Sequence, residues 1–375
     1  MHPATGVGAT SGARIVGDVT DTIWSPTDEY VERANVTRFM RAHRIETYEG
    51  LVERSVADVA WFWDAVVRDL GIEFLTPYEQ VLDVSRGVEW ATWFGGGRVN
   101  LADQCVDRWA AATPEALAVA WEGEDAVVRR WSYADLRRET DRLARALRRL
   151  GVEARDAVGI FLPMLPETVA AVMACSKIGA IWVPIFSGFG TDAVAVRLED
   201  AGVKVLLTAD AFVRKGRAVP LVETARGALA RVDTVRATVV LRHAGEGAVG
   251  DEHDWAELVA GESDDPLRSE PLESEHPLFI GYTSGTTGQP KGVLHVHGGF
   301  LVKIASEVAY QVDLHPGEVL HWVPTSAGSW VRGRSWVRWP WDRPSSSTTE
   351  LPPTPERTVS GLWSSATRSR HSVSR

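Results

Sequence analysis

The segment Tyr282–Gly292, which reads YTSGTTGQPKG, constrains the chain more than any other. The apolar run Leu278–Tyr282 before it is typical of a buried strand, and Phe300–Tyr310 after it is predicted to be a helix. Between them lie glycines, hydroxyl side chains and the single cation Lys291. Glycines let backbone N–H groups approach an anion, while hydroxyls and an ammonium add donors and charge. The segment therefore predicts a polyphosphate-binding loop.

Two other interpretations of this loop are weaker. A plain polar surface turn needs neither the lysine nor the flanking strand and helix. A Walker A loop needs Gly-Lys-Ser/Thr, but here Gln289 and Pro290 separate Gly288 from Lys291.

Upstream of the loop, apolar strands alternate with amphipathic helices. The predicted strands are Leu117–Trp121, Val127–Trp131, Ala157–Leu162, Ala180–Phe186, Val203–Thr208 and Ala237–Leu241. The predicted helices between them are Ser132–Leu150, Glu167–Ile178 and Thr191–Asp200. This alternation predicts an α/β fold, with mostly parallel sheets and helices on both faces.

The remaining segments are less regular. Residues 24–74 have a helical pattern, with predicted caps at Thr27 and at Ser55 with Asp58. The cluster Trp61–Trp63 is predicted to pack in a core. Gly95–Gly97 is predicted to be a turn before a helix from about Leu101. The charged stretch from Arg242 to His276 is predicted to be a surface excursion.

Composition excludes several classes of protein. The net charge of −10 argues against nucleic acid or an anionic membrane as the main partner. Two cysteines, Cys105 and Cys175, lie in apolar helical contexts, which favours core packing in a reducing compartment over a disulfide or zinc site. The first residues lack the layout of a secretory leader, and no apolar run is long enough to cross a bilayer. We expect a cytoplasmic protein.

The loop closely resembles the phosphate-binding motif of the adenylate-forming enzymes, which include acyl-CoA synthetases, luciferases and peptide-synthetase adenylation domains. Ala91–Asp107, Pro163–Glu167 and the run IFSGFGTDAVAVRLEDAGVKVLLTAD are similar to acetyl-CoA synthetase and its short-chain relatives. The helical opening also resembles that family, whereas luciferases and adenylation domains lack it. The resemblance covers about residues 20–323.

This resemblance implies a ligase that joins acetate or another short-chain carboxylate to CoA at the expense of ATP. The carboxylate attacks the α-phosphorus of ATP to give an acyl-adenylate and pyrophosphate, and the CoA thiol then displaces AMP. Mg²⁺ is shared between phosphate oxygens, and no protein metal site is implied. The residues implied to hold the β- and γ-phosphates are Thr283, Ser284, Gly285, Thr286, Thr287, Gly288 and Lys291.

A second implied site binds CoA. Arg214 and Arg217 match arginines that contact the phosphorylated adenosine end of CoA in the family; without the resemblance they indicate only a solvated basic turn. His295 and His297, beside the phosphate loop, are assigned a structural role. The catalytic residues stay unknown, because the family's catalytic lysine belongs to a C-terminal domain that we do not find in this sequence.

The chain changes character after Val323. From Pro324 to Arg375 there is no lysine, arginines outnumber acids, and six of the 16 tryptophans lie from Trp322 onward. Disordered tails are poor in tryptophan. We therefore hypothesise a frameshift in the gene or in its sequencing.

Back-translation supports this hypothesis. If one base is lost at codon 324, the invariant tryptophan codon forces glycine at Trp330, Trp336 and Trp341, and alanine at Trp339. With permitted wobble bases the second frame reads TDLGWIMGPWSFVGAMALGSTVVV, the continuation expected of an acyl-CoA synthetase. The DNA across codons 322–326 tests the hypothesis, since codons incompatible with this frame contradict it.

The expected organisation has four parts: a disordered start (1–20), an acetyl-CoA-synthetase-type N-terminal segment (21–110), a partial AMP-binding domain (111–323) and an out-of-frame tail (324–375). Because the acyl pocket of the family begins in the second frame, we expect this chain to form no acyl-CoA; acetate-dependent hydroxamate formation would contradict that. The alternative is a non-catalytic nucleotide- or CoA-binding protein with a genuine Arg/Ser/Trp-rich tail. The carboxylate itself is left open.

Overall fold

The structure is a computed structural model and describes residues 25–245, 250–283, 290–322 and 334–337. The predicted disordered start, 1–20, and most of the predicted out-of-frame tail, 324–375, lie outside these residues.

Four short helices open the described chain, as the helical pattern predicts. They are α1 (Asp28–Arg33), α2 (Asn35–Ala42), α3 (Tyr48–Ala57) and α4 (Val59–Asp69). The predicted cap at Thr27 is confirmed, since its hydroxyl accepts a backbone N–H from the first turn of α1. The predicted helix start at Ser55 is wrong. Ser55 lies inside α3 and its hydroxyl donates to a carbonyl of that helix, whereas Asp58 caps α4 by accepting the N–H of Trp61 at 2.9 Å.

A small hairpin and an irregular helix follow. Their regular elements are β1 (Gln80–Asp83), β2 (Thr92–Gly95) and α5 (Arg108–Ala112). The predicted glycine turn is confirmed, and Gly96 has a φ of +78° that favours glycine. The helix predicted from about Leu101 is present, but a π-helical turn at Asp103–Asp107 interrupts it.

The remaining elements include every strand and helix of the predicted alternation, together with strands and helices that were not predicted. The strands are β3 (Leu117–Glu122), β4 (Val128–Ser132), β5 (Ala157–Phe161), β6 (Ile181–Pro184), β7 (Val203–Ala209), β8 (Ala211–Arg214), β9 (Arg217–Pro220), β10 (Ala237–Leu241), β11 (His253–Asp254), β12 (Pro277–Thr283), β13 (Lys291–Val296), β14 (Leu320–Trp322) and β15 (Arg334–Val337). The helices are α6 (Tyr133–Arg149), α7 (Pro166–Lys177), α8 (Thr191–Asp200), α9 (Leu221–Leu229), α10 (Trp255–Ala260) and α11 (His297–Ser306).

The main sheet has the strand order β11-β10-β7-β5-β6-β12-β13, and every neighbouring pair is parallel except β12 with β13. The second sheet, in the order β14-β15-β3-β4, is antiparallel. The predicted α/β class with a mostly parallel sheet is therefore confirmed. The predicted capping box that starts α6 is also present, formed by Ser132 and Asp135.

The segment after the predicted phosphate loop differs from the prediction. The helix predicted over Phe300–Tyr310 is present as α11 and the π-helical turn after it, but an unpredicted strand precedes it: Lys291–Val296 form β13, which pairs antiparallel with β12. Pairing satisfies the backbone groups of β12 on that side. β13 is the last strand of the sheet, and Val293 and Leu294 on it are 45% and 52% exposed.

The predicted surface excursion from Arg242 to His276 is wrong in its middle. There α10 buries Trp255, Leu258 and Val259 against the main core. The indole N–H of Trp255 donates to the Glu139 carboxylate at 2.8 Å. A buried tryptophan with a satisfied N–H anchors this segment to α6.

The N-terminal helices share a core with the strand that leads to the phosphate loop. Phe39 and Val66 belong to the same buried cluster as Leu278 of β12 and Leu301 of α11. The side-chain amide of Asn35 donates to two carbonyls that follow α11, each at 3.1 Å. The predicted packing of the Trp61–Trp63 cluster is confirmed by its contacts with this core.

A buried cation joins four distant parts of the chain. The Lys177 ammonium, fully buried, donates to Asp107 at 2.7 Å, Asp141 at 2.5 Å and the carbonyl of Leu267 at 2.8 Å. The Ser269 hydroxyl donates to the other oxygen of Asp107 at 2.6 Å. All three N–H donors of the lysine are thus satisfied inside the protein.

Both cysteines are free and buried, as predicted. Burial raises the pKa of the Cys105 thiol to about 12 and also raises that of Cys175. Neither thiol is therefore ionised near neutral pH, which fits a packing role.

Candidate functional site

The β12–β13 hairpin carries the predicted phosphate loop at its tip. Leu278 and Phe279 anchor β12 in the core, and the last paired residues before the tip are Thr283 and Lys291. Residues 284–289 lie outside the described part of the chain. The hairpin therefore fixes both ends of the loop at the edge of the main sheet.

Thr283 and Lys291 are the two predicted phosphate ligands that the structure brings together. Both are exposed, and the Thr283 hydroxyl lies 3.5 Å from the backbone carbonyl of Lys291. Among the described residues the Lys291 ammonium makes no ion pair. The predicted ligands outside the described residues are Ser284, Gly285, Thr286, Thr287 and Gly288.

Tyr282, immediately before the loop, is tied to α8. Its hydroxyl donates to the Asp200 carboxylate at 2.5 Å, and its pKa is raised by burial and by this bond. The guanidinium of Arg197 lies 5.4 Å from the Tyr282 ring centre and 4.3 Å from that of Phe189. Burial lowers the pKa of Arg197. Sequence reasoning missed this anchor, because its members come from different elements.

The predicted CoA arginines lie at the end of a second hairpin. Arg214 ends β8, Arg217 begins β9, and the two are directly paired. Lys215 and Gly216 between them have φ values of +52° and +72°, which are typical of the two-residue turns that connect the strands of a β-hairpin. Within the described residues neither arginine has an ion pair.

The base of this hairpin is held by Asp210. Its carboxylate accepts backbone N–H groups from Ala211 and from three successive residues after β10, at 2.5–3.1 Å; these residues are His243, Ala244 and Gly245. The buried carboxylate therefore fixes where β8 leaves the main sheet.

The two histidines near the phosphate loop are placed as packing residues. The His295 ring stacks on Phe279, with ring centres 4.3 Å apart. His297 is fully buried, and its Nδ1 accepts the N–H of Leu101 at 3.2 Å. Its Nε2 has no hydrogen-bond partner among the described residues. The pKa of His297 is lowered to about 3. Burial is the larger cause, and electrostatic repulsion from the nearby His276 is the smaller one.

Neither a metal cluster nor a membrane-spanning helix is found among the described residues. They contain no group of three His, Cys, Asp or Glu side chains placed to hold a metal ion. None of their helices has the length and apolar character required to traverse a bilayer.

Comparisons with known proteins extend this description. Residues 106–334 match the family of AMP-binding enzymes, and residues 48–105 match the acetyl-coenzyme A synthetase N-terminus. The chain is 39% identical over 302 residues to an acetyl-coenzyme A synthetase of Cronobacter sakazakii and 37% identical over 300 residues to one of Escherichia coli. Each match covers 78% of this chain and 45% of the relative, so the chain spans less than half of their length.

A solved structure agrees with these matches. Acetoacetyl-CoA synthetase from Streptomyces lividans superposes with a TM-score of 0.73 at 31% identity, over 79% of this chain and 46% of that one. The regions matched by the two family models contain both hairpins and, of the four opening helices, α3 and α4. The chain therefore belongs to the AMP-binding enzyme family, with an N-terminal segment of the acetyl-coenzyme A synthetase type.

Proposed function

We propose that this chain carries the ATP-phosphate-binding and CoA-binding parts of an acyl-CoA synthetase acting on acetate or another short-chain carboxylate. The observation that carries the proposal is the β12–β13 hairpin. It presents Thr283 beside Lys291, which makes no ion pair within the described part of the chain, at the base of a glycine- and hydroxyl-rich loop. Membership of the AMP-binding family and the names of the relatives support it.

In the proposed reaction, a carboxylate oxygen attacks the α-phosphorus of ATP and pyrophosphate leaves. The CoA thiol then attacks the acyl carbon, AMP leaves, and a thioester forms. The loop holds the β- and γ-phosphates, so its task is to position them and to stabilise the charge of the leaving pyrophosphate. Mg²⁺ enters with ATP, bound mainly by phosphate oxygens and water, and this mode needs few protein ligands.

Substituting Lys291 tests the phosphate site. Because a charge-assisted hydrogen bond to phosphate is lost, we expect Lys291→Ala to weaken MgATP binding at least about 10-fold. Lys303→Ala is the control, since it removes another exposed lysine ammonium, from α11, where it pairs with Glu307. Isothermal titration calorimetry of each purified chain gives the dissociation constants. Equal MgATP affinity in wild type and Lys291→Ala would contradict the site.

Substituting the paired arginines tests the CoA site. We expect Arg214→Ala and Arg217→Ala each to weaken CoA binding about 5- to 50-fold, because each guanidinium is proposed to contact the 3′-phosphate. Dephospho-CoA, which lacks that phosphate, should bind wild type and both variants alike. Arg231→Ala, which removes an exposed guanidinium after α9, is the control. A variant that loses CoA and dephospho-CoA affinity equally would contradict the assignment.

A further inference from the structure

The tip of the β8–β9 hairpin already holds an anionic side chain of the same chain. The backbone N–H of Gly216 donates to a carboxylate oxygen of Glu124 at 3.0 Å. Glu124 lies in the turn that joins β3 to β4, 92 positions earlier in the sequence. The contact is therefore tertiary and brings a negative charge to the turn between the two predicted CoA arginines.

The chemistry of the tip explains why an anion lies there. Both central residues of the turn have positive φ, a conformation that directs N–H groups outward and can form an anion-binding concavity. Three of the four residues at the turn have cationic side chains, and none of the three has an ion pair within the described residues; they are Arg214, Lys215 and Arg217. Like charges that face each other across a strand pair are destabilising. An anion at the tip offsets that repulsion.

The position of Glu124 is constrained from both sides. On the hairpin side, Asp210 fixes the start of β8 through its bonds to the residues that follow β10. On the other side, the Trp121 ring at the end of β3 packs edge-on against the ring of His243, one of those residues, with centres 5.8 Å apart. The same contacts therefore hold the β3–β4 turn next to the hairpin tip.

We infer that the Glu124 carboxylate occupies the position of a ligand phosphate and that CoA displaces it on binding; this inference rests on the proposed CoA site. A phosphomonoester carries a charge of about −1.5 to −2 and three strong acceptors, so it outcompetes a single carboxylate. A CoA analogue without the 3′-phosphate brings no such group to the tip. Glu124 is thus a specificity-determining residue, which competes only with a ligand group that enters the hairpin tip and which the highly charged 3′-phosphate can displace.

The test compares substitutions at two neighbouring acids. We expect Glu124→Gln, which removes the charge, to raise CoA affinity about threefold to tenfold at low salt, because a nearby repulsive charge is removed. Glu124→Ala, which also removes the acceptor, should gain at least as much. Asp125→Asn is the matched control; its carboxylate bonds within its own turn to the N–H of Val127, and asparagine retains that bond. Calorimetry with CoA and with dephospho-CoA, at about 0.05 and 0.5 M salt, measures each effect.

The inference predicts a gain for CoA only, reduced at high salt by screening, with Asp125→Asn close to wild type. A structural role for Glu124 would lower affinity or leave it unchanged, and either result overturns the inference. An equal gain for dephospho-CoA or for Asp125→Asn also overturns it, since general charge removal would then suffice. If wild type binds MgATP but not CoA, the proposed CoA site fails first and the inference fails with it. If Arg214→Ala weakens CoA while Glu124→Gln has no effect, only the inference fails.

Discussion

Lys177→Met should destabilise the chain more than any other single substitution described above, by about 3–5 kcal/mol in the free energy of unfolding. Methionine fills a similar volume but cannot pair with the Asp107 and Asp141 carboxylates, which then stay buried beside a thioether. The carbonyl of Leu267 also loses its donor. Urea unfolding followed by tryptophan fluorescence at pH 7 measures the loss.

Two further variants show whether the loss of stability comes from the buried ion-pair network or simply from the removal of a lysine charge. Lys303→Met removes an exposed ammonium paired with Glu307 and should cost less than about 1 kcal/mol. Adding Asp141→Asn to Lys177→Met should recover part of the stability, because the uncompensated carboxylate is removed while an acceptor remains for the Leu267 N–H. If Lys177→Met and Lys303→Met are equally stable, the network does not hold the four segments together.

Acid should destabilise the chain through His297. Its pKa in the folded protein is about 3, below the value of about 6.5 expected in the unfolded chain. Below pH 6.5 the His297 imidazole therefore binds a proton in the unfolded state but stays neutral in the folded state. The stabilisation is fully present above about pH 6.5 and is lost as the pH falls, at about 1.4 kcal/mol per pH unit, or roughly 3 kcal/mol by pH 4.

His297→Asn should flatten this dependence. The asparagine side chain can accept the Leu101 N–H in place of Nδ1, but it does not titrate. His276, whose ring centre lies 5.8 Å away and whose pKa is also lowered by burial, supplies part of the remaining slope. Unfolding free energies measured from pH 7 to pH 4 decide the matter, and an equally steep fall in His297→Asn would contradict it.

Much of the fold could be predicted because helices that bury only one face show a clear repeat of apolar residues in the sequence. Thr191–Asp200 is a helix with the predicted bounds, and the five strands of the main sheet that were predicted differ from the observed ones by at most two residues at either end, whereas β11 and β13 were not predicted. β13 was missed because Gly292 continues the loop pattern and the strand has exposed residues on both faces, so no alternation marks it. The π-helical turn at Asp103–Asp107 depends on backbone register, which side-chain pattern does not reveal.

The candidate site could be predicted less completely. The loop motif identified Thr283 and Lys291, and the resemblance identified Arg214 and Arg217, but their use as ligands stays a prediction, as do the domain boundaries. Glu124 was not identified, because only the folded chain brings it to Gly216. Lys177 is the one cation of α7, but the partners that explain its burial come from distant segments and could not be identified from the sequence.

The exposed side of β13 has a consequence for handling the protein. Among the residues that the structure describes it is the terminal strand of the main sheet, and it presents backbone N–H and C=O groups along one side, with Val293 and Leu294 exposed beside them. Such an edge is a template for a strand from another chain, and one terminal lysine is little protection against that pairing. We therefore expect purified chains to aggregate through this strand. Leu294→Lys should delay the onset of turbidity as the protein is concentrated, and it should leave the cooperativity of unfolding unchanged.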